Sequence, residues 1–237
     1  MTMTDHVISQ IRKIYAGLEP PNTDAWSPLA SDIELLHRLR LMDAMCRALR
    51  LIPYPVATLK VLDVGCGVGR STRMLMDLGI RPENLLGVDI RPEALTYAQQ
   101  LNPAVRYRTL STLEDWPTES FELAVQCTVF GSIPMGHARS RTARLMEQSV
   151  GKGGYVFWWD GIRANDFAGG DILDPRDYFP ARRVILSKRV SMQPTVQEAM
   201  RPLRGLGALF GSCLRVLGHR PTHCVALLGP EDRPASS

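Results

Sequence analysis

The sequence has no close pair of cysteines. Its five (Cys46, Cys66, Cys127, Cys213 and Cys224) are an odd number, with no Cys-x-x-Cys step and no Cys/His spacing of a zinc ligand set. A disulfide framework and a structural metal site are therefore not expected, and the setting implied is a reducing, cytoplasmic one. Long apolar runs are missing as well. Met1 to Ser9 is polar with no signal core, and no stretch approaches the length of a membrane span. Lysine is scarce, so the net charge of +4 rests on arginines, and these never gather into a run of five or six. Without a basic stripe, no nucleic-acid partner is expected. Repeats and low-complexity tracts are absent too. What remains is ordinary for a globular chain with a sizeable core: 237 residues, 45% apolar and 22% charged.

The first fifty-odd residues read as helical. Val7, Ile8, Ile11, Ile14 and Tyr15 recur at helical spacing and stop before Glu19-Pro20-Pro21. A longer helix is expected from Leu29 to Leu51, with Ser31 or Asp32 as its cap. This region is either a helical layer on the sheet edge or a cap over a site, lined by Tyr15, Trp26 or Arg38. Beyond Pro53-Tyr54-Pro55, strands and helices alternate, which calls for parallel strands joined by right-handed crossovers. Strands are expected at Leu59–Val64, Leu85–Asp89, Val105–Leu110, Phe121–Cys127, Tyr155–Asp160, Arg183–Val190 and His223–Leu228. Helices are expected at Arg70–Leu78, from Pro92 to near Leu101, and from Ala138 to Val150. A helical stretch from Val196 to Leu217 precedes the last strand. The chain thus reads as one domain, 1–237, with a cap (1–55), an α/β core (56–195 and 222–229) and a helical insertion (196–221).

Chemistry concentrates in Val61 to Gly69 (Val-Leu-Asp-Val-Gly-Cys-Gly-Val-Gly) and in Leu85 to Asp89 (Leu-Leu-Gly-Val-Asp). A buried strand, a glycine turn, a helix start and a second strand ending in an acid form a nucleoside-binding layout. A dinucleotide fingerprint spaces its glycines Gly-x-Gly-x-x-Gly, whereas Gly65, Gly67 and Gly69 are each two apart. Asp63 also places a carboxylate where a pyrophosphate would be repelled, so an NAD oxidoreductase is disfavoured. A ligand with a cationic group and paired hydroxyls fits better.

These residues resemble the class I S-adenosylmethionine-dependent methyltransferases. The resemblance implies a Rossmann-like, seven-stranded, mostly parallel sheet with an antiparallel last strand. It implies S-adenosyl-L-methionine as cofactor and S-adenosyl-L-homocysteine as product. Asp63 would meet the methionine end, directly or through water, with the backbone of Gly65, Cys66, Gly67 and Gly69 alongside. Asp89 would accept both ribose hydroxyls, Ile90 would flank the adenine, and Cys127 at the end of strand four joins this set. Asp115 to Val125 resembles the family's loop into strand four. Where the family often places an Asp against the adenine amino group this chain has Ser111-Thr112, so Thr112 or the Leu113 backbone is expected to substitute. Gly151 to Gly154 resembles the turn before strand five, without its usual proline.

The methyl acceptor is less legible. Trp26-Ser27-Pro28, Thr128 to Ile133 with Phe130, Trp159-Asp160 with Asn165, and Thr222-His223 resemble a subgroup associated with glycan and natural-product assembly. Tyr15, Trp26, Phe130, Trp159, Asp160 and Asn165 are the substrate-side candidates. Trp158 and Trp159 alternate in a strand, so at most one of them should face a ligand. Transfer to a hydroxyl benefits from a base, and histidine suits that role. His223 opens the antiparallel strand and so lies at the cofactor face, with His219 and His137 as further candidates. Each could equally be a surface or structural residue. The reaction expected is O-methylation of a small molecule or glycan intermediate. N- or C-methylation of a natural product, and a non-catalytic cofactor-binding subunit, are the alternatives. No metal ligand set is expected, and the sequence sets no oligomeric state, a homodimer being compatible with it.

Overall fold

The computed structural model describes residues 3–16, 32–191 and 221–231. Trp26, His219 and the expected helix at 196–217 lie outside them.

The strands are β1 (Val61–Val64), β2 (Leu85–Asp89), β3 (Arg106–Thr109), β4 (Leu123–Cys127), β5 (Tyr155–Gly161), β6 (Arg182–Val190) and β7 (His223–Glu231). They form one sheet in the order β3-β2-β1-β4-β5-β7-β6. β1 to β5 pair in parallel, and β7 runs antiparallel between β5 and β6. β1, β2 and β4 are nearly continuous apolar runs because both faces of the sheet are covered there. At the sheet edges, β3 and β6 are largely exposed and carry the arginines expected of strands that must resist further pairing.

The helices are α1 (Met3–Ala16), α2 (Asp32–Leu49), α3 (Arg70–Asp77), α4 (Pro92–Leu101), α5 (His137–Val150) and the short α6 (Pro175–Tyr178). Strand alternation divides the core into two layers. Val61, Leu123, Val125, Phe157, Trp159, Val225 and Leu227 pack with Met45 and Leu49 of α2 and Leu75 of α3. On the opposite face Leu62, Val64, Ala124, Trp158, Ala226 and Leu228 pack with Met146 and Val150 of α5. A third cluster sits at the carboxyl end of the sheet, where Val7, Ile11 and Tyr15 of α1 meet Ile90, Val129, Ile133 and Ala138. Within the described residues the expected strands and helices are present with ends shifted by a few residues, and α6 was not expected. It is one turn long, opened by Asp174, whose carboxylate accepts Arg176 N at 2.9 Å. No helix among the described residues is long and apolar enough to cross a membrane.

Candidate active site

At the carboxyl end of β1 the chain turns through three alternate left-handed residues, Gly65 (φ 64°), Gly67 (54°) and Gly69 (75°). The turn is tied down by Cys66 N donating to Val88 O (3.1 Å) and Gly69 N donating to Cys66 O (2.9 Å), and α3 starts at the next residue. A Cβ on Gly65 would collide with Val129 Cγ2. On Gly67 it would lie 3.0 Å from a terminal nitrogen of Arg91 and 3.9 Å from Asp89 Oδ2. The backbone is therefore bare where a ligand would approach. Cys66 is buried with its sulfur against Gly87, and burial pushes its thiol well above the usual range. It packs, and only its backbone belongs to the turn.

Two carboxylates flank this cradle. Asp63 is fully buried and accepts hydrogen bonds from Ser71 Oγ (3.0 and 2.8 Å) and Thr72 Oγ1 (2.6 Å), both from the first turns of α3. Burial raises its pKa to about 6, against the two hydroxyls that favour its charge, and the neighbouring Asp89 adds to the rise. Asp89 ends β2. Its Oδ2 accepts Gly67 N (2.8 Å), and its Oδ1 accepts the backbone N (2.9 Å) and Nε (3.2 Å) of Arg91. Two buried anions beside an open backbone suit a ligand bearing a cationic group at one end and hydroxyl donors further along.

Above Asp89 lies α1. Arg12 donates from Nε to Ile90 O (2.7 Å) and from a terminal nitrogen to Leu110 O (3.1 Å). The Arg91 guanidinium sits 4.6 Å over the Tyr15 ring. Tyr15 OH shares a 2.8 Å hydrogen bond with Ser132 Oγ, and Asn165 Nδ2 donates to the same oxygen at 3.3 Å. Tyr15 and Asn165 thus meet on Ser132, which sequence reasoning missed along with Arg12 and Arg91. A hydroxyl in a Phe-Gly-Ser turn and arginines that bond the main chain carry no spacing signal. Thr112 opens a one-turn helix. Its Oγ1 accepts Glu114 N (3.2 Å) and its own N–H donates to Asp115 Oδ2 (2.9 Å), a capping box, while the Leu113 side chain is buried.

On the other side of the turn stand the ends of β4, β5 and β7. Cys127 is half-buried, and burial followed by the Asp63 charge raises its thiol. Thr128 is the one non-glycine described residue in the left-handed region (φ 62°), held by its N–H to Trp159 O (2.7 Å). Strain of this kind persists only where the surroundings enforce it, commonly at ligand-facing turns. His223 lies opposite Gly161 in the β5/β7 register, at the cofactor end of the sheet as expected. Its Nδ1 is 3.0 Å from Thr222 Oγ1, and its pKa is lowered to about 4 by burial and then by His37. Sequence reasoning missed His37. It belongs to α2, and Trp159 Nε1 donates to its Nε2 at 3.0 Å.

Three substrate-side expectations change. Phe130 is wholly buried, 4.6 Å from the Trp158 ring and 5.0 Å from that of Tyr178, so it is core and no part of a ligand wall. Trp159 is also wholly buried and offers its indole N–H to His37. Asp160 is 1% exposed, and its oxygens accept Gly131 N (3.2 and 3.1 Å) and Gly161 N (2.9 Å), fastening β5 to the turn after β4. Burial still outweighs these donors and raises its pKa to about 7. His137 is exposed at the first residue of α5, beside Ala138 in the α1 cluster. Among the described residues no group of three or more His, Cys, Asp or Glu side chains could hold a metal ion.

Residues 62–158 match the family model of the methyltransferase domain. The fold is similar to that of the N-methyltransferase NodS from Bradyrhizobium japonicum WM9 in complex with S-adenosyl-L-homocysteine, at 14% identity and a TM-score of 0.65, covering 94% of this chain and 98% of that one. It is similar to magnesium protoporphyrin IX methyltransferase (ChlM) from Synechocystis PCC 6803 with bound S-adenosylmethionine, at 14% identity and a TM-score of 0.64, covering 96% and 98%. An S-adenosylmethionine-dependent methyltransferase from Mesorhizobium loti aligns at 17% identity and a TM-score of 0.53, covering 79% and 99%. No curated protein matches the sequence. The match to the methyltransferase domain model thus lies across the glycine turn and its two flanking carboxylates, and the fold that holds them is Rossmann-like.

Proposed function

We propose that the protein is an S-adenosylmethionine-dependent methyltransferase that transfers the methyl group to a hydroxyl of a small molecule or glycan intermediate, with His223 as the base. The observation that carries this reading is a half-buried imidazole at the carboxyl end of the parallel strands, at the first residue of the antiparallel strand, where burial favours its uncharged form.

When bound, the donor supplies an activated methyl on a sulfonium sulfur. In this reading, Asp63 balances the cationic end of that donor, and Asp89 accepts its ribose hydroxyls. The left-handed turn keeps side chains out of its way. The chain's part would be to hold the acceptor oxygen in line with that methyl, opposite the sulfur that leaves with the bonding pair. The hydroxyl proton passes to the unprotonated nitrogen of His223. A ring with pKa about 4 is fully in its basic form at neutral pH. It is a weak base for a resting alcohol, but the proton becomes acidic as the oxygen–carbon bond forms. Alignment of the reacting atoms supplies the larger part of the acceleration.

The test is calorimetric binding of S-adenosylhomocysteine, followed by labelled methyl transfer to a panel of hydroxyl, amine and carbon acceptors. Binding with transfer to hydroxyls supports the reading. Transfer to amines or carbon alone replaces it with N- or C-methylation. Binding with no turnover on any acceptor favours a non-catalytic subunit.

A further inference from the structure

Three aromatic side chains from three separate elements meet at the carboxyl end of β5 and the start of β7. The His37 ring lies nearly parallel to that of Trp159 (17° between planes, centroids 5.6 Å apart). The His223 ring is 5.4 Å from His37 and 5.6 Å from Trp159. The register explains the meeting. Trp159 pairs with Val225, so His223, two residues away, projects from the same face of the sheet, within diagonal reach of the indole. α2 then lays His37 across both.

The polar contacts are directional. An indole nitrogen can only donate, so the 3.0 Å contact makes His37 Nε2 the acceptor. A neutral His37 must then carry its proton on Nδ1. Burial and the nearby Arg70 guanidinium lower its pKa to about 4, so the neutral form is the resting one. Arg70, which opens α3 after the glycine turn, is 3.9 Å from Glu34 of α2, which places this cluster on the Asp63 side of the crevice. On His223, Nδ1 is engaged by Thr222 and Nε2 is the remaining nitrogen.

We propose that His37 is a positioning residue for His223: Trp159 fixes the tautomer and rotation of the His37 ring, and that ring holds the His223 ring with Nε2 presented to the methyl acceptor. The inference rests on the reading of His223 as the base. It gives the cap a role in the chemistry itself. α2 supplies a wall of the base, so the acceptor site is complete only when the cap is seated. An acceptor meeting an uncharged Nε2 lone pair must bring a proton donor, a hydroxyl or an amine, and an anionic oxygen is refused.

The experiment is long-range proton–nitrogen NMR on the full chain saturated with S-adenosylhomocysteine, comparing wild type with Trp159→Phe, His37→Leu and His37→Gln. Wild type should show His37 as the Nδ1–H tautomer and His223 as a single tautomer with Nε2 unprotonated. Trp159→Phe keeps the ring but removes the donor, and it should return His37 to a tautomer mixture. His37→Leu should do the same to His223, and His37→Gln, whose carbonyl can still accept the indole N–H but which lacks the ring, should not restore the His223 pattern. A His37 protonated on Nε2, or a His223 spectrum unchanged in both Trp159→Phe and His37→Leu, overturns the proposal. S-adenosylhomocysteine affinity separates the two levels. Should the wild type fail to bind it, the reading of the site as a methyl-transfer centre fails, whatever the tautomers show.

Discussion

Arg91 Nε lies 3.2 Å from Asp89 Oδ1, so the carboxylate assigned to the ribose hydroxyls already holds a cation of its own chain. The same guanidinium stacks on Tyr15 and crosses the glycine turn at Gly67. Pocket and cap are thereby joined through one side chain.

Asp89→Ala removes the acceptor of Gly67 N–H and, in the proposed reading, of the ribose hydroxyls. It should weaken S-adenosylhomocysteine binding about ten- to a hundred-fold by calorimetry, from the loss of one or two charge-assisted hydrogen bonds. Arg91→Gln acts in the opposite direction. If the guanidinium must swing aside for the ligand, shortening it raises the fraction of competent molecules, and binding should tighten roughly two- to five-fold. Weaker binding in Arg91→Gln would show that Arg91 grips the ligand instead.

In the proposed reading, Asp63 gives cofactor binding a pH dependence. Its pKa is raised to about 6 by burial, and a cationic ligand end requires the ionised form. Below that pH the proton must be expelled before binding. The dissociation constant for S-adenosylhomocysteine should therefore be about ten-fold larger near pH 5 than near pH 7.5, with proton release on binding at the lower pH. Ser71→Ala removes a hydroxyl that favours the charge and should move the transition to higher pH. An affinity flat across this range would separate Asp63 from the ligand.

Asp160 carries a linkage of its own. Its folded pKa, about 7, stands above the ordinary carboxyl value of 3.8, so the native state holds the extra proton between them. Its contribution to stability is present at acid pH and is lost as pH rises through that window. Asp160→Asn mimics the protonated acid and removes this dependence. The stability difference, wild type minus variant, should fall between about pH 4 and pH 7 in denaturant titrations. A difference that grows instead would mean that the backbone N–H donors hold the carboxylate ionised after all.

Gly65 is constrained twice, by its left-handed φ of 64° and by Val129 Cγ2. Gly65→Ala should cost about 1–2 kcal/mol from backbone conformation alone, with the side-chain collision in addition. Adding Val129→Ala relieves the collision and leaves the conformational part. The double variant should therefore recover some, and not all, of the lost melting temperature beyond what Val129→Ala costs by itself.

The sheet was legible because its central strands are buried on both faces, which writes them as apolar runs with glycine and proline punctuation between. The Pro92–Leu101 helix matched at both ends for the same reason: proline opens it and Asn102-Pro103 closes it. The two carboxylates and the glycine turn were legible because their spacing along the chain is itself the motif. Contacts between distant segments left no such trace. His37 and Trp159 are 122 positions apart, and nothing near either residue announces the other. Phe130 and Trp159 misled because an aromatic beside a crevice and an aromatic beneath it look alike in one dimension. α6, at four residues, is too short to show a helical period.

Arg12 grips α1 onto the crevice through the carbonyl oxygens of Ile90 and Leu110. A carbonyl is offered by every residue type, so this clasp is indifferent to which side chains occupy those two positions. Ile90, the residue expected to flank the ligand's base, can be exchanged for a larger or smaller one while the clasp keeps its partners. Substitutions at position 90 can therefore change the side chain there independently of how the cap is anchored. That separation gives selection, or a designer, a free variable at the edge of an otherwise constrained site.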